Sequence, residues 1–284
     1  MQNARSNVST DRYILCIETG TDVCSVGLAR VGEKAGADAG LALTTESADE
    51  PLKAEIIALR ETAGDRDHAR RIAVFTQEVL AQASLQAKDL SAVAVSKGPG
   101  SYTGLRIGVS FAKGLCYGLG IPLIGVGSLD SLCAVAMSES VRQSGVFHEN
   151  HENHENGGDR GGLYVPMIDA RRMEVYGRVF DAHGAALTPV EAWVIDENSL
   201  AEWRERNQGG KSGDRGDVII FGDGAEKCRE TLPWACYVDV HPSASGMVRL
   251  AAEAFTAGDF EDIAYFEPFY LKDFVITTSK KKLL

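Results

Sequence analysis

Between residues 90 and 120 an apolar run, a glycine-rich turn and a glycine-bearing helical stretch follow one another without a gap. Leu90 to Ser96 has the length and apolar character of a buried strand. Lys97-Gly98-Pro99-Gly100-Ser101-Tyr102-Thr103-Gly104 then turns the chain into a helix that runs to about Leu119. That helix carries Gly104, Gly108, Gly114 and Gly118, and each glycine inside a helix costs about 1 kcal/mol relative to alanine. The usual compensation is close approach of another backbone. A strand–turn–helix unit under that constraint belongs in an α/β domain with a tightly packed helix. The turn also has the form that offers amides to an anion. Its spacing, G-x-G-x-x-x-G, is not the dinucleotide fingerprint.

The rest of the chain repeats the α/β alternation. Tyr13 to Glu18 and Cys24 to Leu28 read as two strands joined by Thr19-Gly20-Thr21-Asp22, with a third strand at Gly40 to Thr45. Asp65 to Ser84 reads as a helix, capped by Asp65 or Asp67, with Ile72, Phe75, Val79, Leu80 and Ala83 on one face. Ile121 to Val126 is a strand and Ser128 to Ser138 a helix. Leu163–Asp169 and Glu174–Asp181 form a hairpin. Val218 to Phe221 is a strand that turns through Gly222-Asp223-Gly224 into a helix, and Ser243 to Ala257 is another helix. Two such runs predict two lobes, 13–125 and 126–284, after a loose tail at 1–12; the last helix is a candidate to return to the first lobe. Residues 148–156 are His-Glu-Asn three times over, and 145–162 read as a mobile, solvated insertion.

Several chemistries are disfavoured. With 29 basic and 40 acidic side chains the net charge is −11, so the chain offers no broad basic face for nucleic acid. No apolar stretch approaches the roughly 20 residues that span a bilayer, and the polar start has no leader-like apolar run; the expected location is cytoplasmic. None of the six cysteines has C-x-x-C spacing, so they read as small buried hydrophobes. Gly210-Lys211-Ser212 lacks the earlier glycine of a P-loop, because position 205 is Glu205. No zinc-protease motif or G-x-S-x-G elbow occurs. His68 reads as a solvent-facing or capping residue, since position 72 is Ile72 and no second ligand follows. Glu18-Thr19-Gly20-Thr21, with a carboxylate and two hydroxyls at a tight turn, is a candidate for phosphate or hydrated magnesium.

Taken together, residues 96–120 (SKGPGSYTGLRIGVSFAKGLCYGLG), Ile168 to Tyr176 (IDARRMEVY), Pro268-Phe269-Tyr270-Leu271-Lys272 and the opening Ile14 to Leu28 resemble the bacterial TsaB (YeaZ) family. The resemblance runs from about residue 13 to the end, with insertions at about 48–64, 145–162 and 207–216. It implies an actin- and hexokinase-like ATPase (ASKHA) fold of two related lobes. It also implies a role in making N6-threonylcarbamoyladenosine on tRNAs that read codons beginning with A, as the non-catalytic partner of the transferase TsaD. TsaE would be a further partner, and tRNA would be met through the complex. The catalytic branch carries H-x-x-x-H on its metal-binding helix, and this chain has only His68 there. Glu18 and Gly20 stand where the family usually has Asp and Ser.

The nucleotide-binding candidates are therefore Glu18, Thr19, Gly20, Thr21, Gly98, Gly100 and Ser101. No cofactor of the chain's own is expected, with ATP or ADP and magnesium as candidates at the partner interface. The resemblance places the interface on the first-lobe helices, with Ile72, Phe75, Val79, Gly104, Gly108 and Phe111 as candidates. A homodimer is the expected arrangement when TsaD is absent. The alternative function is an autonomous ATPase or small-molecule kinase of the same fold; a peptidase finds no support in the residues.

Overall fold

In the computed structural model, residues 11–32, 42–43, 53–62, 67–138, 162–208 and 218–271 are described. The 145–162 insertion (described only at its last residue), the Gly210 loop, Lys272 and the Lys280-Lys281-Lys282 cluster lie outside them, as does the tail up to residue 10.

The first sheet has six strands in the order β3-β4-β2-β1-β5-β6: β1 Arg12–Glu18, β2 Cys24–Gly32, β3 Ala42–Leu43, β4 Lys53–Thr62, β5 Ala92–Gly98 and β6 Leu123–Gly127. β1 pairs antiparallel with β2 and parallel with β5, and β6 continues the parallel half. Both faces are covered, which explains the unbroken apolar run of β1. Leu15 and Ile17 point to a cluster shared with α1 (His68–Gln82) and α2 (Tyr102–Leu119). Ile14 and Cys16 point to a second cluster on the opposite face, with Ala244, Met247, Val248, Ala251 and Ala252. In β5, Val93 and Val95 alternate in the same way with Ala92 and Ala94.

The second sheet runs β11-β10-β7-β8-β9: β7 Leu163–Asp169, β8 Glu174–Gly177, β9 Glu191–Val194, β10 Val218–Phe221 and β11 Cys236–Val238. Helix α3 (Ser128–Met137) covers one of its faces through Leu129, Leu132, Cys133 and Ala136. The other face packs Leu163, Val165 and Met167 against Cys228 and Leu232, with Leu200 and Trp203 of the α4 region (Ala201–Gln208) at the margin. The last helix, α5 (Val248–Ala257), lies on the first sheet, and the segment after it is tied there by Glu261 N to Leu123 O (2.8 Å) and Phe269 N to Lys97 O (2.6 Å).

The structure differs from the sequence reading in several places. Residues 53–62, within the stretch read as an insertion, form a ten-residue strand along the whole of β2. Its alternation is broken by a bulge opposite Leu28 and Ala29, and its alanines, leucine and glutamates favour helix, so the pattern was not strand-like. The helix read from Ser243 opens as a 3-10 turn, Ala244–Met247, and the one after Gly224 is a single 3-10 turn, Glu226–Cys228. The arm read as Glu174–Asp181 is a strand only to Gly177, with Phe180 making isolated bridges. Asp67 stands at the N-cap position of α1 without a side-chain capping bond.

Candidate functional site

The glycines of the opening motif pack against one element, the turn between β1 and β2. A Cβ on Gly100 would sit 2.2 Å from Gly20 O, one on Gly104 2.1 Å from Thr19 O, and one on Gly108 2.3 Å from Thr19 Oγ1. Ser101 N donates to Gly20 O at 2.6 Å, and Ser101 Oγ caps α2 by accepting from Gly104 N. Nothing lies within 4 Å of a Cβ on Gly114 or Gly118. The close approach expected of four glycines is thus made by two of them, joined by Gly100 of the turn.

Glu18, Thr19, Gly20 and Thr21 are all buried. Glu18 Oε1 accepts from Gly20 N at 2.6 Å, Ser96 Oγ accepts from Thr19 N, and Thr21 Oγ1 accepts from Val23 N. Three amides of the turn are already engaged, and the open sides of Gly100 and Gly104 are filled by backbone oxygen. The amides of Thr19, Gly20 and Val23 are thus not free to cradle a phosphate. Gly98, with φ of 105°, abuts Phe269 O. Glu18 Oε2 and Ser128 Oγ are buried without a partner among the described residues, and a Cβ on Gly20 would sit 3.0 Å from Glu18 Oε1 and 3.1 Å from Ser128 Oγ. Burial pushes the Glu18 carboxyl up to about 7, against the bonds from Gly20, Ser96 and Thr19 and with a further push from Asp223. Among the described residues no group of three or more His, Cys, Asp or Glu is placed to hold a metal ion.

His68 is not solvent-facing. It is buried at the start of α1, and its Nε2 donates to Thr21 O at 2.9 Å, which fixes the tautomer and leaves Nδ1 unpartnered among the described residues. The interface candidates also need correction. Ile72, Phe75 and Val79 are buried in the first lobe's own core, and Gly104 and Gly108 are closed against the turn. Phe111, half-buried, and the edge of Ile72 reach the groove between the helices. The face that α1 and α2 present outward is instead a groove of about 490 Å³, with Ala69, Tyr102, Thr103, Arg106, Ile107 and Ser110 on its walls and Ile72 and Phe111 also lining it. The Arg106 guanidinium lies 4.9 Å over the Tyr102 ring and donates to its hydroxyl; Tyr270 stacks on the same ring at 4.9 Å. The C-terminal segment thus builds the groove's rim, a contact between residues 168 positions apart that no local pattern announces.

The second lobe adds a cluster that the sequence reading missed. Asp223 Oδ1 accepts from Asp169 N at 3.1 Å, and Lys227 pairs with Asp169. Burial lifts the Asp223 carboxyl to about 6, helped by Asp169 and by Asp22 of the β1–β2 turn.

Comparison with known proteins agrees with this geometry. Residues 59–146, which hold α1, β5, α2 and α3, match the family model of TsaD, described as tRNA N6-adenosine threonylcarbamoyltransferase. The tRNA threonylcarbamoyladenosine biosynthesis protein TsaB of Bacillus subtilis is 34% identical over 151 residues, which is 53% of this chain and 56% of that protein. The match therefore spans only about half the length of that relative. The Escherichia coli TsaB is 28% identical over 273 residues, covering 92% of this chain and 94% of its own. The solved structure of YeaZ from Pseudomonas aeruginosa superposes with a TM-score of 0.63 at 20% identity, over 92% of this chain and all of that one. That likeness shows a shared fold, the two sheets and their covering helices described above. Among the described residues no helix is long and apolar enough to cross a membrane. With a shared fold and one relative aligned along nearly its whole length, the chain is similar to the TsaB (YeaZ) proteins.

Proposed function

We propose that this chain is a non-catalytic subunit that docks onto a TsaD-type transferase through the outward face of α1 and α2. It would thereby support formation of N6-threonylcarbamoyladenosine beside the anticodon of tRNAs reading codons that begin with A. The observation that carries the reading is the open groove between the two helices, set in the stretch that itself matches the TsaD family model. Two chains built on one fold present equivalent helix pairs to each other, and such faces associate about a pseudo-twofold axis. The same face admits a second copy of this chain when the partner is absent. A catalytic role finds no support in His68, whose Nε2 is committed to Thr21 O. Against the alternative of an autonomous nucleotide enzyme, the amides of Thr19, Gly20 and Val23 in the β1–β2 turn are already bonded within the chain. ATP, magnesium and the TsaE ATPase belong, in this reading, to the partner side of the assembly.

The test is Ser110→Trp, at an exposed position on the groove wall. The variant should melt like wild type and fail to co-purify with TsaD. A folded variant that still binds TsaD as tightly as wild type refutes the docking face. Position 108 is unsuited to this test, because any side chain there meets Thr19.

A further inference from the structure

Arg171 and Arg172, at the tip of the β7–β8 hairpin, have φ of 70° and 54°. The left-handed region is costly for residues with a Cβ and nearly free for glycine. Here the surroundings enforce it at two consecutive positions. Arg171 N donates to Asp169 Oδ1 at 3.0 Å, Ala170 N to Glu174 O at 3.0 Å, and Glu174 N to Arg171 O at 3.2 Å. Lys227 reaches across from the Glu226–Cys228 turn and donates to Arg172 O at 2.6 Å, to Glu174 O at 2.7 Å and to the Asp169 carboxylate. Asp169 N is held in turn by Asp223.

The backbone of the tip is thus over-determined, while the two arginine side chains take no part in fixing it. Both residues are exposed. Among the described residues neither guanidinium is held in an ion pair, and the adjacent Asp169 is already paired with Lys227. Strain kept at positions whose side chains the fold does not use points to a use outside the fold. Two neighbouring guanidiniums on a rigid tip suit the planar, bidentate recognition of phosphate oxygens.

We propose that the Arg171–Arg172 tip is a phosphate contact for the tRNA on which the assembly acts, holding the backbone without reading bases. This rests on the function proposed above. Phosphate is favoured over a partner's carboxylates because the tip belongs to the second sheet. The docking helices cover the first, so the tip stays free when the partner binds. A chain of net charge −11 brought beside a polyanion also needs local cations of this kind.

The experiment uses the full chain assembled with its TsaD partner and an unmodified tRNA transcript, with binding measured over a range of salt concentrations. Arg171→Gln/Arg172→Gln should weaken tRNA binding by about tenfold or more and reduce the slope of log K against log salt by about 1–2. Arg171→Gly/Arg172→Gly should bind tRNA as poorly yet melt no lower than wild type, because glycine relieves the backbone. Unchanged tRNA affinity and slope in an intact assembly overturn the proposal, as does a glycine variant that melts lower. Loss of TsaD binding with the glutamine pair would assign the tip to a protein carboxylate and overturn it as well. Failure of the wild-type chain to assemble with TsaD would instead remove the function on which the proposal rests.

Discussion

Glu18→Gln tests whether the buried turn carries a proton-linked cost. Glu18 has no solvent exposure, one carboxylate oxygen bonded to Gly20 N and the other unpartnered among the described residues. Burial raises its pKa from 4.5 to about 7. Because the folded value lies above the unfolded one, the folded chain holds the proton more tightly. Stability from this group is full below about pH 4.5 and declines as pH rises towards 7. At about 1.4 kcal/mol per pH unit the loss amounts to about 3 kcal/mol. Glutamine keeps an acceptor for Gly20 N and never ionises. The stability of the variant relative to wild type should therefore increase by up to about 3 kcal/mol between pH 4.5 and 8. Asp223, raised in the same direction to about 6, also pushes on Glu18, so its slope is present in both proteins but cancels only in part, and Asp223→Asn is measured alongside to separate the two. Urea unfolding at steps of half a pH unit measures it. A difference curve flat to within about 0.5 kcal/mol across that range would refute the reasoning.

Two glycines of α2 should respond with opposite sign. Gly104→Ala places a methyl 2.1 Å from Thr19 O and should destabilise by about 2–4 kcal/mol, whereas Gly114→Ala, with nothing within 4 Å, should stabilise by about 0.5–1 kcal/mol. Denaturant midpoints check both, and a stabilised Gly104→Ala would refute the close approach. Lys227→Met removes the three hydrogen bonds that Lys227 Nζ donates to the β7–β8 tip and should cost about 1–3 kcal/mol, with faster amide hydrogen exchange at Arg171 and Glu174; unchanged exchange there would show that Lys227 does not hold the tip.

What could be read from the sequence followed from how local each cause is. The β1 run YILCIE was legible because both its faces are buried, and the glycines at 100, 104 and 108 because only backbone proximity explains them. The identity of the approached backbone, Thr19 and Gly20, lies about 85 residues away and leaves no local trace. The stripe Ile72, Phe75, Val79 was rightly apolar, and the core takes most of it, with only Ile72 also lining the groove. His68 looked like a surface residue because its bonding partner, the Thr21 carbonyl, lies 47 positions away. The Asp169–Asp223–Lys227 cluster was invisible for the same reason.

Helix α2 divides into two functional halves, and the division bears on how a partner would be sensed. Its first half alternates inward glycines with outward Thr103, Arg106, Ile107 and Ser110. The inward glycines meet the β1–β2 turn at the Thr19 and Gly20 carbonyls and the Thr19 hydroxyl, with the Leu105 side chain packed beside Gly20. The glycine contacts are the shortest route by which a displacement of the groove wall would reach Thr19 and Gly20. Gly20 N is in turn the donor that holds Glu18. A partner seated in the groove thus stands two contacts from a buried carboxyl that titrates near neutrality. If docking shifts the turn, the Glu18 difference curve should change shape in the complex; if the helix is only a platform, it should not.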